Sequence, residues 1–169
     1  GTVGEIVCKT PLIFSGYLNK KKITKSSFYT NYFKTGDLGY LDRDNYLYLV
    51  GRKKNMIIVA GINVYAEDIE EVIKKFPLVK DCCVIGTNDE RLGEAIVALI
   101  IWEKEKKKDI NMLKQYCFEN LADFQLPMAY NFVEKFPRNV LGKILRNDLK
   151  NQYLKANLSN KITRLMGVK

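Results

Sequence analysis

The stretch Tyr32–Glu70, YFKTGDLGYLDRDNYLYLVGRKKNMIIVAGINVYAEDIE, changes texture part-way along and so divides the chain. Up to Gly51 it alternates. Leu38 and Tyr40, then Tyr46, Tyr48 and Val50, fall on every second position, and Asp42 to Asn45 between them is rich in turn formers. Alternation on both sides of such a turn predicts a β-hairpin. Beyond Gly51, MIIVAG and INVY are two short β-rich runs around Gly61, which predicts a second, tighter hairpin. AEDIEEVIKKF then places Ile69, Val72, Ile73 and Phe76 at helical spacing, with acids early and lysines late to suit the helix dipole, until Pro77 ends it.

Upstream of this stretch, residues 1–50 read as short strands and turns. GEIVCK alternates as a strand would, and Gly16 and Asn19 to Lys22 break the pattern. These strands carry no obvious partner core of their own. Downstream, LVKDCCVIG is a buried-strand candidate, TNDERLG a polar loop and EAIVALIIW another strand. Asp109 can cap a helix bearing Ile110, Leu113, Cys117 and Leu121 on one face. YNFVEKF reads as a last short strand, and Leu145, Leu149 and Tyr153, spaced by four, as a closing helix from Ile144. The order β-β-α-β-β-α-β-α from Met56 describes an α+β domain with a three-stranded sheet, a β-hairpin and packed helices. The expected organisation is therefore residues 1–51, a junction at 52–55, and a second domain at 56–169.

Composition excludes several chemistries. The 169 residues contain no histidine, which rules out Ser-His-Asp and Cys-His catalysis and a histidine base within this chain. Its four cysteines, Cys8, Cys82, Cys83 and Cys117, have no CxxC spacing, so no metal site is expected. Cys82 and Cys83 should face opposite sides of a strand as small buried hydrophobes, reduced in a cytoplasmic setting. No apolar run reaches the roughly 20 residues of a membrane span, so no transmembrane segment is expected. The opening GTVGEIVCKT lacks the layout of a secretion signal and reads as a segment entered mid-fold. The formal charge of +9 is scattered, and the Lys104–Lys108 cluster alternates with Glu103 and Glu105 as a solvated loop does. Anionic ligands fit this balance better than nucleic acid.

Three strings carry candidate chemistry. TGDLG sets Asp37 in a turn beside a strand, where a carboxylate could accept two hydrogen bonds from a diol. GRKKNMIIVAGINV holds Arg52 and Lys54 at the junction and Gly61 in its hairpin. PRNVLGKILR presents Lys143 in a loop bounded by Pro137 and Gly142. Taken singly, each has an ordinary reading, as a turn former or a solvated lysine.

In this order and spacing, together with IGTNDERLGEAIVALI between them, the strings resemble the acyl-CoA synthetases of the acyl-adenylate-forming superfamily, over nearly the whole chain to about Leu149. The resemblance implies a mobile C-terminal lid domain, preceded by the last strands of a large N-terminal domain's β-barrel portion. It implies that Asp37 binds the ribose hydroxyls of ATP or AMP, that Arg52 contacts the nucleotide, and that Lys54 is the hinge of the lid. The hairpin of Ala60, Gly61 and Ile62 would line the pantetheine channel, and Lys143 would reach the carboxylate and the α-phosphate during adenylation. The implied reactants are a carboxylic acid, ATP with Mg²⁺, and coenzyme A, in fatty-acid-type metabolism. A carrier-protein pantetheine is the alternative acceptor, and a non-enzymatic basic module, with Leu154, Leu158, Ile162 and Leu165 on one stripe, the alternative class. Ala66 stands where many relatives have proline, Asn45 where glycine is usual, and Ile62 and Asn63 differ at the hairpin. No glycine-rich phosphate loop is present, so this chain by itself is expected not to form an acyl-adenylate; the N-terminal adenylating domain is the implied partner.

Overall fold

The computed structural model describes residues 1–103 and 109–165, with side chains through residue 157. The lysine cluster 104–108 and the stripe positions Leu158, Ile162 and Leu165 lie outside what is described of side chains. Two compact units emerge, Gly1–Met56 and Ile57–Lys169.

The first unit contains β1 (Gly4–Cys8), α1 (Lys21–Ser26), β2 (Phe28–Tyr29), β3 (Tyr32–Leu41) and β4 (Leu47–Arg52). All pairings are antiparallel and centre on the long β3, with β1 along one edge and β2 and β4 along the other. The β3–β4 hairpin follows from its turn: Asp42 Oδ1 accepts from the amides of Asp44 and Tyr46, both at 2.9 Å, and Asn45 takes φ 64°. Asparagine tolerates that left-handed conformation, which is why it can stand at Asn45. Across the hairpin Tyr40 and Tyr48 are register partners and stack at 5.1 Å. Helix α1 departs from the all-strand expectation. At six residues it is too short to show a hydrophobic period, and it starts just after Asn19 (φ 56°) breaks the chain. Among the described residues of this unit Leu38 is the only buried hydrophobic, while Leu12, Leu18, Tyr46 and Leu49 are mostly exposed. The predicted lack of a private core is observed.

From β5 (Met56–Val59), whose first residue is the last of the first unit, the second unit runs through β6 (Ile62–Tyr65), α2 (Ala66–Lys74), β7 (Val79–Asp89), β8 (Gly93–Trp102), α3 (Ile110–Asn120), β9 (Ala129–Phe132) and α4 (Arg146–Leu165). The expected hairpin and three-stranded sheet are joined in a single five-stranded sheet. β7 pairs along one edge of β8, while β5 and β9 share the other edge, β9 in parallel. The segment expected as the loop TNDERLG is mostly strand, since Thr87–Asp89 pair with Gly93–Ala95 and only Glu90–Leu92 turn. Polar side chains hid this, because ladder pairing is set by backbone and not by side-chain polarity.

Helices cover both faces of the sheet, which explains the unbroken apolar runs of β7 and β8. Cys82, Val84, Ile96, Ala98 and Ile100 face α2 and α3, where Ile69, Ile73, Leu113 and Cys117 complete one core. Cys83, Ile85, Val97 and Leu99 face the other way, against Phe136 and Leu149 of α4. The two adjacent cysteines thus point to opposite cores, both buried and unbridged. Asp109 caps α3 as expected, accepting from the amides of Asn111 and Met112 at 3.0 and 3.1 Å.

Candidate active site

In the first unit Asp37 and Arg52 are brought together. They are register partners on β3 and β4, and Arg52 Nη1 lies 2.8 Å from Asp37 Oδ1. The same nitrogen donates to the Thr35 carbonyl at 2.8 Å, while Thr35 Oγ1 donates to Ile6 O at 2.8 Å and accepts from the Asp37 amide at 3.0 Å. The carboxylate and guanidinium are therefore oriented from three strands while each remains about a third exposed. Thr35, Gly36, Arg52, Lys53 and Lys54 line an open cleft of about 410 Å³. Its cationic wall suits an anion beside the Asp37 carboxylate. Lys54 sits in a 3₁₀ turn, Lys53–Asn55, that follows β4 directly, and Lys53 itself is held by Glu5 at 2.7 Å.

In the second unit Lys143 stands at an exposed tip built by Asn139. The Asn139 amide donates to Lys143 O and its carbonyl accepts from the Gly142 amide, each at 2.9 Å. Its side-chain Oδ1 accepts from the amides of Leu141 and Lys143 at 3.0 and 2.9 Å. Gly142, at φ 79°, supplies the left-handed residue that closes such a turn as a bulge. Val140 and Leu141 at the tip are almost wholly exposed. Arg138 donates to Gly142 O at 2.6 Å and pairs with Asp81, which also meets Lys74 at 3.3 Å, so the tip is tied to the start of β7. Lys143 accordingly projects from a braced platform on a flexible four-carbon stem.

The second hairpin turns at Ala60 and Gly61, whose φ values of 49° and 83° are those of a type I′ turn. Ile58 and Ile62 on its flanks are each nearly half exposed. The Ala60 amide donates to Leu92 O at 2.7 Å, and Glu94 Oε2 accepts from the Ile58 amide at 2.8 Å, so this hairpin hangs on the start of β8. Val59 pairs with Gly93, whereas Asp81, the anchor of the Lys143 loop, pairs with Ile101. Gly93 to Ile101 is eight residues of strand, roughly 26 Å at about 3.3 Å per residue. The two loops are therefore fixed to opposite ends of one rigid β7–β8 ladder.

A further pair escaped the sequence reading. Arg146, the first residue of α4, grips Glu70 of α2 with both guanidinium nitrogens, at 2.5 and 2.7 Å. Burial alone would lower the arginine's pKa, yet the bonds and charge of Glu70 raise it above its ordinary value. In sequence Arg146 and Glu70 look like two surface charges 76 positions apart. Among the described residues no cluster of histidine, cysteine or carboxylate side chains could hold a metal ion, and no helix is long and apolar enough to cross a membrane.

Residues 68–143 match the AMP-binding enzyme C-terminal domain. Over 152 residues the chain is 43% identical to a 2-succinylbenzoate–CoA ligase of Listeria monocytogenes, covering 90% of this chain and 32% of the relative. The stretch matched is the C-terminal domain of AMP-binding enzymes, and the relatives that share it are CoA ligases. A long-chain-fatty-acid–CoA ligase of Mycobacterium tuberculosis is 39% identical over 89% of the chain and 30% of its own length. Among solved structures, ATP-bound MatB from Rhodopseudomonas palustris superposes with a TM-score of 0.84 at 35% identity, covering 90% of this chain and 31% of that one. The o-succinylbenzoate CoA synthetase of Bacillus subtilis, in complex with its acyl-adenylate intermediate, gives 0.81 at 35% identity, covering 88% and 30%. The chain thus spans about a third of the length of the curated relatives it matches. Lys143 is the final residue of the matched stretch.

Proposed function

We propose that this chain is the C-terminal part of an ATP-dependent acyl-CoA synthetase, and that its second unit is the lid that serves two half-reactions in turn. In the first, a carboxylate oxygen attacks the α-phosphorus of ATP, forming an acyl-adenylate and releasing pyrophosphate. Two anionic groups approach each other and charge builds on the non-bridging oxygens. Lys143 offsets that charge as an ammonium on a mobile stem. Asp37 accepts the ribose hydroxyls, and Arg52, held at 2.8 Å from it, meets the nucleotide from the same cleft. In the second half-reaction the thiol of coenzyme A attacks the acyl carbonyl and AMP leaves. Lys143 is then out of place and the Ala60–Gly61–Ile62 hairpin lines the thiol's path.

The observation that carries this reading is the placement of the Lys143 loop and the Gly61 hairpin at opposite ends of one ladder. A rigid body so built withdraws one as it presents the other, and torsions at Lys54, in the turn after β4, would absorb the motion. Mg²⁺ would enter with ATP, and no cluster among this chain's described residues is suited to hold it. Residues 1–169 alone should form no adenylate, since no phosphate loop lies within them.

The test uses the full-length enzyme and carboxylate-dependent exchange of pyrophosphate into ATP. Lys143→Ala should lower the exchange rate by roughly 100- to 1000-fold, the usual effect of removing one transition-state charge stabiliser. It should leave thioester formation from supplied acyl-adenylate near wild type. Exchange that survives Lys143→Ala refutes the assignment. Titration with free coenzyme A and with a phosphopantetheinylated carrier protein distinguishes the two possible acceptors.

A further inference from the structure

We propose that Arg146 and Glu70 form a positioning pair for Lys143, acting by closing an open strand edge beneath its loop. Among the described residues β7 pairs with β8 on one side only and has no partner strand on the other. At Val84, buried in the core, the peptide N–H and C=O both turn to that unpaired edge. Glu70 Oε1 accepts from the Val84 amide at 2.6 Å, and Arg146 Nη1 donates to the Val84 carbonyl at 2.7 Å. The two side chains also bond each other through both nitrogens and both oxygens. Together they satisfy backbone groups that a neighbouring strand would otherwise meet.

This arrangement reaches the candidate site because Arg146 lies three residues beyond Lys143 and opens α4. The Lys143 loop is fixed at both ends. Arg138 holds its entry through Asp81 and Gly142 O, and Arg146 holds its exit through Glu70 and Val84. The two anchors are unequal. The Arg138 side chain is 43% exposed and half solvated, whereas Arg146 is 21% and Glu70 9% exposed. Solvent competes with the first pair and much less with the second, so the exit anchor sets where the lysine stem begins. A planar fork is required there. A lysine ammonium could meet Glu70 but could not also hold both carboxylate oxygens and the Val84 carbonyl in one plane.

The proposal rests on the adenylation role of Lys143, and the test keeps the two separable. In the full-length enzyme, Arg146→Lys keeps the charge pair and Glu70→Gln keeps the shape of its partner. Each should lower pyrophosphate exchange by about 100-fold, the effect of misplacing a reacting group by an ångström. KM for ATP and thioester formation from supplied acyl-adenylate should stay near wild type. Arg138→Lys, at the solvated anchor, should lower exchange far less. Exchange near wild type in Arg146→Lys overturns the proposal. So does an equal fall in both half-reactions, or failure of both variants to fold, each of which marks a purely structural pair. Lys143→Ala runs beside them. If it retains exchange, the adenylation role itself fails, whatever the Arg146 variants do.

Discussion

Replacing Gly142 by alanine isolates what the Lys143 loop asks of its backbone. A methyl group at this position would meet no atom within 4 Å, so crowding contributes nothing. The whole effect comes from φ 79°, a conformation that disfavours an L-residue by about 1–2 kcal/mol. The loop can keep its bulge under that strain, or abandon it and release the two bonds to Asn139 Oδ1, each with a net worth of about 1 kcal/mol. The two outcomes are close in energy, so Lys143 should lose its defined position while the domain stays folded. Trp102, the sole tryptophan and nearly buried in the second unit, reports unfolding directly. With a urea slope of about 1.5 kcal/mol/M, a loss of about 1 kcal/mol moves the midpoint by roughly 0.7 M. Exchange activity of the full-length enzyme should fall more than this stability change suggests. Gly142→Asn should recover most of both, because asparagine tolerates the left-handed region. Gly86→Ala provides the contrast. Its methyl group would lie 2.8 Å from Glu94 Oε1 and 2.9 Å from Ile57 Cγ2, and asparagine there should be worse than alanine. If Gly142→Asn is as damaging as Gly142→Ala, the backbone argument is wrong.

Three other outcomes follow from the same geometry. Ala60, left-handed in the first position of its turn, is poorly suited to φ 49°, so Ala60→Asn should raise stability by about 0.5–1 kcal/mol in urea unfolding; no gain would mean the strain is relieved elsewhere. Burial pushes the Cys83 thiol up to about 12 and raises Cys82 as well, so both favour the folded state while protonated. That stability is complete below the unfolded thiol pKa near 9 and drains as pH climbs towards 12, by up to about 1.4 kcal/mol per pH unit for each group. Cys83→Ala should flatten the decline between pH 9 and 11, and parallel curves for variant and wild type would contradict this. In native protein the buried Cys82, Cys83 and Cys117 should resist thiol reagents until urea exposes them, whereas labelling at the native rate would place them nearer solvent.

Much of the architecture was legible because it is local. The two hairpins are announced by turn chemistry at Asp42–Asn45 and Gly61, α2 by the spacing of Ile69, Ile73 and Phe76, and the start of α3 by Asp109. Helix α1 left no period to detect, and the strand Thr87–Asp89 was masked by polar side chains. Of the candidate site residues, Asp37, Arg52, Lys54, Gly61 and Lys143 were visible only through the order and spacing of three motifs. The hydrogen bonds that brace them were not visible at all. Asn139, which builds the Lys143 tip, and Glu94, which holds the Gly61 hairpin, read in sequence as ordinary polar residues.

The division between what sequence determined and what tertiary structure decided follows the range of the interaction. Turn residues, caps and hydrophobic period act over a few positions, so the residues themselves specify each element and the place of Lys143 within its loop. The parallel docking of β9, the opposite placement of the Lys143 loop and the Gly61 hairpin on one ladder, and the Glu70–Arg146 closure of the β7 edge are different. They pair groups tens of residues apart, 76 in the last case, whose chemistry is individually unremarkable. A glutamate and an arginine become a buried clamp only where folding leaves a strand edge without a neighbour and excludes the water that would otherwise serve it.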